Sequence, residues 1–203
     1  MTAIVTTLDL LRHGEPQGGA RFRGVTDDPL SEAGWQQMRA AVGAHPEWRV
    51  VVASPLQRCA AFAAWLAGHH GLPWEPEEGF REIGFGDWEG RTAQELMQSA
   101  PEALTAFWHD PAVNTPPGGE PLLEFTARVA AAWEALLARH AGQQVLVVAH
   151  GGVIRTILGH LLHMPLTHLF RLEVPFGAMS RVRVEGSGDG ALAQLVFHGR
   201  AAA

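Results

Sequence analysis

Short apolar runs alternate with helix-period patterns along most of this chain. Residues 4–11 and 49–53 read as strands, and residues 144–149, Gln-Val-Leu-Val-Val-Ala, read as a strand buried on both faces. Leu30-Ser31-Glu32 opens a helix with Ser31 as its N-cap, running to about Gly43. A second helix is expected from Pro55, a favoured first-turn residue, to about Gly68. Pro121 starts a third, in which Leu122, Phe125, Val129, Trp133 and Leu136 recur at three- and four-residue steps. A fourth follows Gly151-Gly152, with Val153, Ile154, Ile157, Leu158, Leu161 and Leu162 on its apolar face. Residues 178–185 and 191–197, around a Gly-rich turn, read as a β-hairpin.

Strands alternating with helices predict an α/β fold, a three-layer α/β/α sandwich on a mainly parallel, mixed central sheet. Residues 92–120 are helical and then Pro-rich, and read as a cap inserted over one edge of that sheet. One domain over residues 1–203, carrying this cap, is the expected organisation. The length suffices for a sizeable core, and a hydrophobic content of 47% excludes disorder. Cys59 is the single cysteine, so the fold must hold without an intramolecular disulfide, and a reducing compartment fits. The first apolar run is broken by Asp9, stops at Arg12, lacks a basic leader and is too short to cross a bilayer. The expectation is a cytoplasmic protein with no membrane partner. An apolar stripe over residues 161–170 can be an interface or pack on the tail, so monomer and homodimer both stay open.

Charge narrows the partners. Fifteen cations against 21 carboxylates give a net charge of −6, which argues against nucleic acid. All fifteen cations are Arg, so any anion held by a cationic side chain is held by Arg or His. A negative protein still binds phosphate when a few cations focus their field in a cleft.

Two strands end in similar punctuation, the first in Arg12-His13-Gly14-Glu15 and the late one in His150-Gly151-Gly152. Ligands of open α/β sheets bind at the carboxyl ends of parallel strands, where two such His residues would face one another. The glycines allow close backbone approach, and the helix after His150 would aim N–H groups at an anion. Either tripeptide alone arises by chance about one time in ten at this composition, so the information lies in having both after strands. Ser54-Pro55-Leu56-Gln57-Arg58 puts Arg58 in the first turn of a helix, where a cation opposes the macrodipole. Reaching back to an anion at the strand ends would explain it; a solvated surface Arg is the plain alternative. In Phe80-Arg81-Glu82-Ile83-Gly84-Phe85-Gly86-Asp87-Trp88-Glu89-Gly90 a carboxylate stands among large apolar residues. Burial of Glu82 there favours the protonated carboxyl, as a general acid near neutral pH requires.

These motifs, in this order over about residues 8 to 185, resemble the histidine phosphatase (phosphoglycerate-mutase-like) superfamily. Phe85-Gly86-Asp87-Trp88-Glu89, Leu96-Met97-Gln98 and the Pro-Gly-Gly-Glu turn are most similar to the α-ribazole-5′-phosphate phosphatases within it. The resemblance implies that neutral His13 attacks phosphorus to form a phosphohistidine. It implies that Arg12 and Arg58 clamp the phosphoryl oxygens, Arg being suited to bidentate oxyanion binding. His150, expected protonated, would add a third cation, and Glu82 would protonate the leaving oxygen and then activate water. With three cations present neither a metal nor a cofactor is required, and the expected partner is a small phosphorylated metabolite. Pro16 and Gly19 stand where the mutases differ, so a hydrolase is favoured over a mutase. α-Ribazole 5′-phosphate is the expected substrate; the alternatives are a histidine phosphatase of broad or different specificity, a mutase-like enzyme and, more remotely, a catalytically silent protein that binds a phosphorylated ligand.

Several further residues admit two readings. Arg21 and Arg23 either extend the phosphate site or belong to an ordinary loop. Phe22, Phe85, Trp88 and Trp108 are candidates to stack on an aromatic leaving group. Trp35, Trp48, Trp65 and Trp133 fit core packing. His69-His70 and the set His160, His163 and His168 lack companion ligands at metal spacing and read as surface His. Cys59 reads as a small buried helix residue, near the site through its neighbour Arg58.

Overall fold

A computed structural model describes residues 4–43, 47–186, 188 and 191–200. Six strands form one sheet: β1 (Val5–Arg12), β2 (Val50–Ala53), β3 (Trp74–Pro76), β4 (Gln144–Ala149), β5 (Met179–Glu185) and β6 (Leu192–Arg200). Their order is β3-β2-β4-β1-β5-β6. Strands β3, β2, β4 and β1 run parallel, while β5 and β6 add an antiparallel edge. The expected mixed, mainly parallel sheet is thus present. The six α-helices among the described residues are α1 (Glu32–Val42), α2 (Gln57–His70), α3 (Ala93–Ser99), α4 (Pro101–His109), α5 (Leu122–Arg139) and α6 (Gly151–Leu161). No helix among the described residues is long and apolar enough to cross a membrane.

Alternation along β4 explains the layers. Val145, Val147 and Ala149 face one core with Phe125, Val129, Trp133 and Leu136 of α5 and Val153, Ile154 and Ile157 of α6. Leu146 and Val148 face the other with Met38 of α1 and Phe62, Ala63 and Leu66 of α2. A strand buried on both faces needs no polar positions, as its sequence showed.

Local chemistry sets the helix starts. Ser31 caps α1 by accepting the Gly34 N–H at 3.0 Å. Helix α2 begins at Gln57, two residues later than expected, because Leu56 is its N-cap and its carbonyl accepts from Cys59 and Ala60. It ends at His70 rather than Gly68, where Gly71 takes the left-handed cap conformation. Strand β3 went unpredicted: three residues ending in Pro76 give no periodicity to read. The 92–120 region supplies α3 and α4, whose Leu96, Leu104 and Phe107 enclose Trp88 in a separate small core. Thr92 and Glu95 form a reciprocal capping box that starts α3.

Candidate active site

Register places the central pair. Arg12 lies opposite Ala149 in the parallel β1–β4 pair, so the next residues, His13 and His150, emerge side by side. Their rings sit edge to face with centroids 5.1 Å apart. The His13 N–H donates to the Ala149 carbonyl at 2.9 Å, carrying the pairing one residue past the strand. Strand β2 neighbours β4, and its end delivers Ser54 and, on α2, Arg58 to the same place. Gly14 is dictated by crowding: a Cβ there would lie 2.1 Å from the Gly34 carbonyl oxygen at the start of α1.

The hydrogen bonds fix both tautomers. His13 Nδ1 faces the Gly14 carbonyl at 2.8 Å, so Nδ1 carries the proton and Nε2 keeps its lone pair. Burial, then the charges of Arg12 and Arg58, hold the His13 pKa well below its ordinary value. Arg58 Nε donates to His150 Nδ1 at 3.2 Å, and His150 Nε2 donates to Ser54 Oγ at 2.7 Å. His150 is therefore a neutral imidazole in this arrangement. The expectation of a protonated His150 is corrected here, because burial and the adjacent Arg58 oppose its charging.

Arg58 is fully buried, its remaining nitrogens donating to the carbonyls of Thr26 and Gly24 at 2.7 and 2.9 Å. The reading of Arg58 as a solvated surface residue is thereby excluded. Arg12 donates to the Val174 carbonyl at 2.5 Å and lies 3.9 Å over the Phe176 ring. Its buried Nε has no partner among the described residues, and burial lowers its pKa to about 10, so it stays charged at neutral pH. Glu82 is buried with its carboxylate against α6: Oε2 accepts from Gly152 N–H at 2.9 Å and Oε1 from Ile83 N–H at 3.1 Å. A Cβ at Gly152 would stand 2.2 Å from Glu82 Oε1, so that glycine makes room for the carboxylate. Arg128 donates to the carbonyls of Gly79, Arg81 and Glu82 and pairs with Glu120, pinning the Glu82 segment to α5.

Arg12, His13, Arg58, Glu82 and His150 are thus brought together; the weaker candidates fare differently. Trp88 is 3% exposed inside the small core under α3 and α4, which corrects its assignment to the substrate pocket. Phe22 packs edge-on to Trp88 and Phe85, as part of the same cluster. Arg23 commits its nitrogens to Asp28 and to the Gly19 and Gln17 carbonyls, so it braces the loop after β1 while its charge still reaches His13. Arg21 is an exposed brace on the Gly18 and Gly90 carbonyls. Trp108 is about half exposed on α4. Cys59 is buried with Sγ 3.7 Å from His150 Nε2. His69 stacks on Trp65, and His160 pairs with Glu134.

Two residues escaped sequence reasoning. Glu89 accepts from the N–H groups of Gly24, Val25, Thr26 and Phe85 and from the Thr26 hydroxyl. Burial opposes its ionisation, but these donors outweigh it and the Glu89 pKa is lowered. Arg155 lies four residues after Gly151, and its side chain returns over the start of α6: a Cβ on Gly151 would be 3.0 Å from Arg155 Nη1 and 3.4 Å from Arg12 Nε. The available signal was a lone cation inside the apolar run Val153-Ile154-Arg155-Thr156-Ile157.

Comparison with known proteins places this geometry. Residues 8–196 match the model of the histidine phosphatase superfamily, branch 1. A glucosyl-3-phosphoglycerate phosphatase of Mycolicibacterium vanbaalenii is 31% identical, over 97% of this chain and 87% of that protein. The adenosylcobalamin/α-ribazole phosphatase of Escherichia coli is 30% identical, over 86% of this chain and 88% of that protein. The solved structure of Bacillus stearothermophilus YhfR superposes with a TM-score of 0.84 at 32% identity, covering 96% of each chain. The chain spans about half the length of another relative, the bifunctional protein Rv2228c of Mycobacterium tuberculosis, which is 33% identical over 86% of this chain and 49% of that protein. The chain belongs to the histidine phosphatase superfamily.

Proposed function

We propose that this protein is a phosphomonoester hydrolase working through a phosphohistidine at His13. One observation carries the reading: the Gly14 carbonyl holds the proton on Nδ1, leaving a buried Nε2 lone pair in a ring whose strongest charged neighbours are Arg12 and Arg58. The Nε2 lone pair attacks phosphorus, and the P–O bond to the alcohol breaks with its electron pair moving to oxygen. Protonated Glu82 supplies the proton that this alkoxide takes. In the second step the Glu82 carboxylate takes a proton from water, the water oxygen attacks phosphorus, and the P–N pair returns to Nε2. Arg12 and Arg58 stabilise the phosphoryl oxygens through both steps, each contact being worth about 3–4 kcal/mol in sites of this kind. His150 holds Arg58 through Nδ1 and packs against the nucleophile, so its part is orientation rather than charge.

For the substrate we infer α-ribazole 5′-phosphate. The Phe85–Glu89 motif and the relative named adenosylcobalamin/α-ribazole phosphatase support this reading. Similarity of the same order to a glucosyl-3-phosphoglycerate phosphatase makes a phosphoglycerate-type ester the second reading. The test measures phosphate release in EDTA from α-ribazole 5′-phosphate, nucleotides, 3-phosphoglycerate and p-nitrophenyl phosphate, with acid-labile ³²P labelling in parallel. A specificity constant for α-ribazole 5′-phosphate far above the others is expected. His13→Ala should lose turnover and labelling together while its circular dichroism is unchanged; labelling that survives would refute the assigned nucleophile.

A further inference from the structure

Beside the phosphate-binding residues lies a cavity that no step of this hydrolysis uses. Its walls are Phe85, Phe125, Phe170, Leu122 and Leu169, and its volume is about 70 Å³. Glu82 and Gly152 form the side it shares with the reaction centre. The space therefore begins where the bond to the leaving oxygen is broken. It has room for one compact group.

Two polar groups interrupt the apolar walls, and both are donors in search of an acceptor. Arg155 is tethered by Nε to the Leu172 carbonyl at 2.8 Å, while Nη1 and Nη2 have no hydrogen-bond partner among the described residues. Its guanidinium lies 5.7 Å from the centre of the Phe170 ring. Burial lowers the Arg155 pKa, against the charges of Glu82 and Glu173. Thr156 is 4% exposed and its hydroxyl has no partner among the described residues. Buried polar groups are nearly always paired, so the orphaned Thr156 hydroxyl, with the free Arg155 nitrogens on the same lining, points to an occupant that supplies the missing acceptor. A carboxylate would satisfy Arg155, but its charge would be stripped of water among the apolar walls. A neutral acceptor avoids that cost.

We propose that this cavity is the leaving-group subsite, and that it selects phosphomonoesters whose alcohol carries a compact, flat, uncharged ring with a hydrogen-bond acceptor on its edge. The proposal rests on the hydrolase reading above and deepens it. Flat apolar groups gain from three phenylalanine walls, whereas polyols and hydroxy acids lose hydration there without replacement partners.

Esters of alcohols with similar acidity test this without confusing recognition with leaving-group chemistry. The probes are benzyl phosphate, 3-pyridylmethyl phosphate, glycerol 1-phosphate and 3-phosphoglycerate. Phosphoramidate, whose leaving group is ammonia, reports the phosphohistidine chemistry alone. In the wild type, kcat/KM for both ring esters should exceed the other two by about tenfold or more. Leu169→Trp fills the cavity and should lower the benzyl phosphate to phosphoramidate ratio about tenfold. Phe170→Ala removes a wall at a half-exposed position, so it folds even where the tryptophan does not, and should move that ratio the same way. Arg155→Met should bring the pyridylmethyl to benzyl ratio close to one. Parity of glycerol 1-phosphate or 3-phosphoglycerate with the ring esters would overturn the subsite, as would ratios unmoved in both cavity variants. Failure of phosphoramidate to label or turn over would instead refute the hydrolase reading on which the subsite depends.

Discussion

His13 and His150 occupy one solvent-excluded spot, and each is held neutral by burial before any neighbouring charge acts on it. A nucleophile needs that state, and the fold sustains it at a cost that depends on pH. In the unfolded chain both imidazoles take up a proton below about pH 6.5. In the folded chain neither does until a clearly lower pH. Between those limits the unfolded state binds more protons, so stability falls as pH falls, by up to about 2.7 kcal/mol per pH unit for the two groups. Urea unfolding measured from pH 7 to pH 5 should show this decline. His13→Gln and His150→Gln should each flatten it by about half; a slope unchanged in both variants would mean that the histidines are not its source. The neutrality of His150 was not legible in the sequence, because the Arg58 N–H that settles it comes from another element. Its position was legible, since a strand ending in His-Gly-Gly fixes where the ring must emerge.

At the scale of elements, the site depends on two loops being tied to each other. Arg58 takes its orientation from the Gly24 and Thr26 carbonyls, and Glu89 holds the N–H groups of those same residues. The loop of residues 24–26 is thus clamped between a carboxylate and a guanidinium, and the segment that presents Glu82 is joined to it through Phe85 and Glu89. Crowding confirms the closeness, for a Cβ at Gly24 would fall 1.9 Å from the Ile83 carbonyl oxygen. Glu89→Gln keeps one acceptor and loses the charge that makes these bonds strong, a loss of about 1–3 kcal/mol. We expect kcat/KM to fall about tenfold for every ester and for phosphoramidate alike, because in the proposed mechanism Arg58 serves the phosphoryl group and not the alcohol. A loss confined to the larger esters would show that Glu89 shapes the cavity instead. The sequence displayed Glu89 inside a motif without its role, since its donors other than Phe85 lie more than sixty residues away. Trp88 was misplaced for a related reason: an aromatic in a site loop packs wherever the cap brings apolar partners, here Leu96, Leu104 and Phe107. The long helices and β4 were readable because burial on one face or both imprints a period on the residues themselves.

Across the whole molecule, the sheet must keep the end of β1 rigid while carrying an antiparallel edge. Asp9, the residue that seemed to break the first apolar run, does this work. It is 1% exposed, accepts from Trp48 Nε1 at 2.7 Å and pairs with Arg181 of β5 at 2.7 and 2.9 Å. The Arg181 guanidinium in turn lies 5.7 Å from the centre of the Phe197 ring of β6. One buried carboxylate thereby joins the start of β2, the centre of the sheet and both antiparallel strands. Asp9→Ala would strand the indole N–H in the core, although Arg181, about two-fifths exposed, can recover water. The expected cost is therefore about 2–4 kcal/mol, below the full penalty of breaking a wholly buried pair. Asp9→Asn retains an acceptor for the indole and should fall between the variant and the wild type. Urea midpoints with unchanged m-values measure this directly. Because Asp9 stands three residues before Arg12 and faces the core of α1 and α2, folded Asp9→Ala should keep kcat/KM within about twofold. An activity loss matching the stability loss would show that the Asp9 network positions Arg12 and His13 as well as holding the edge strands.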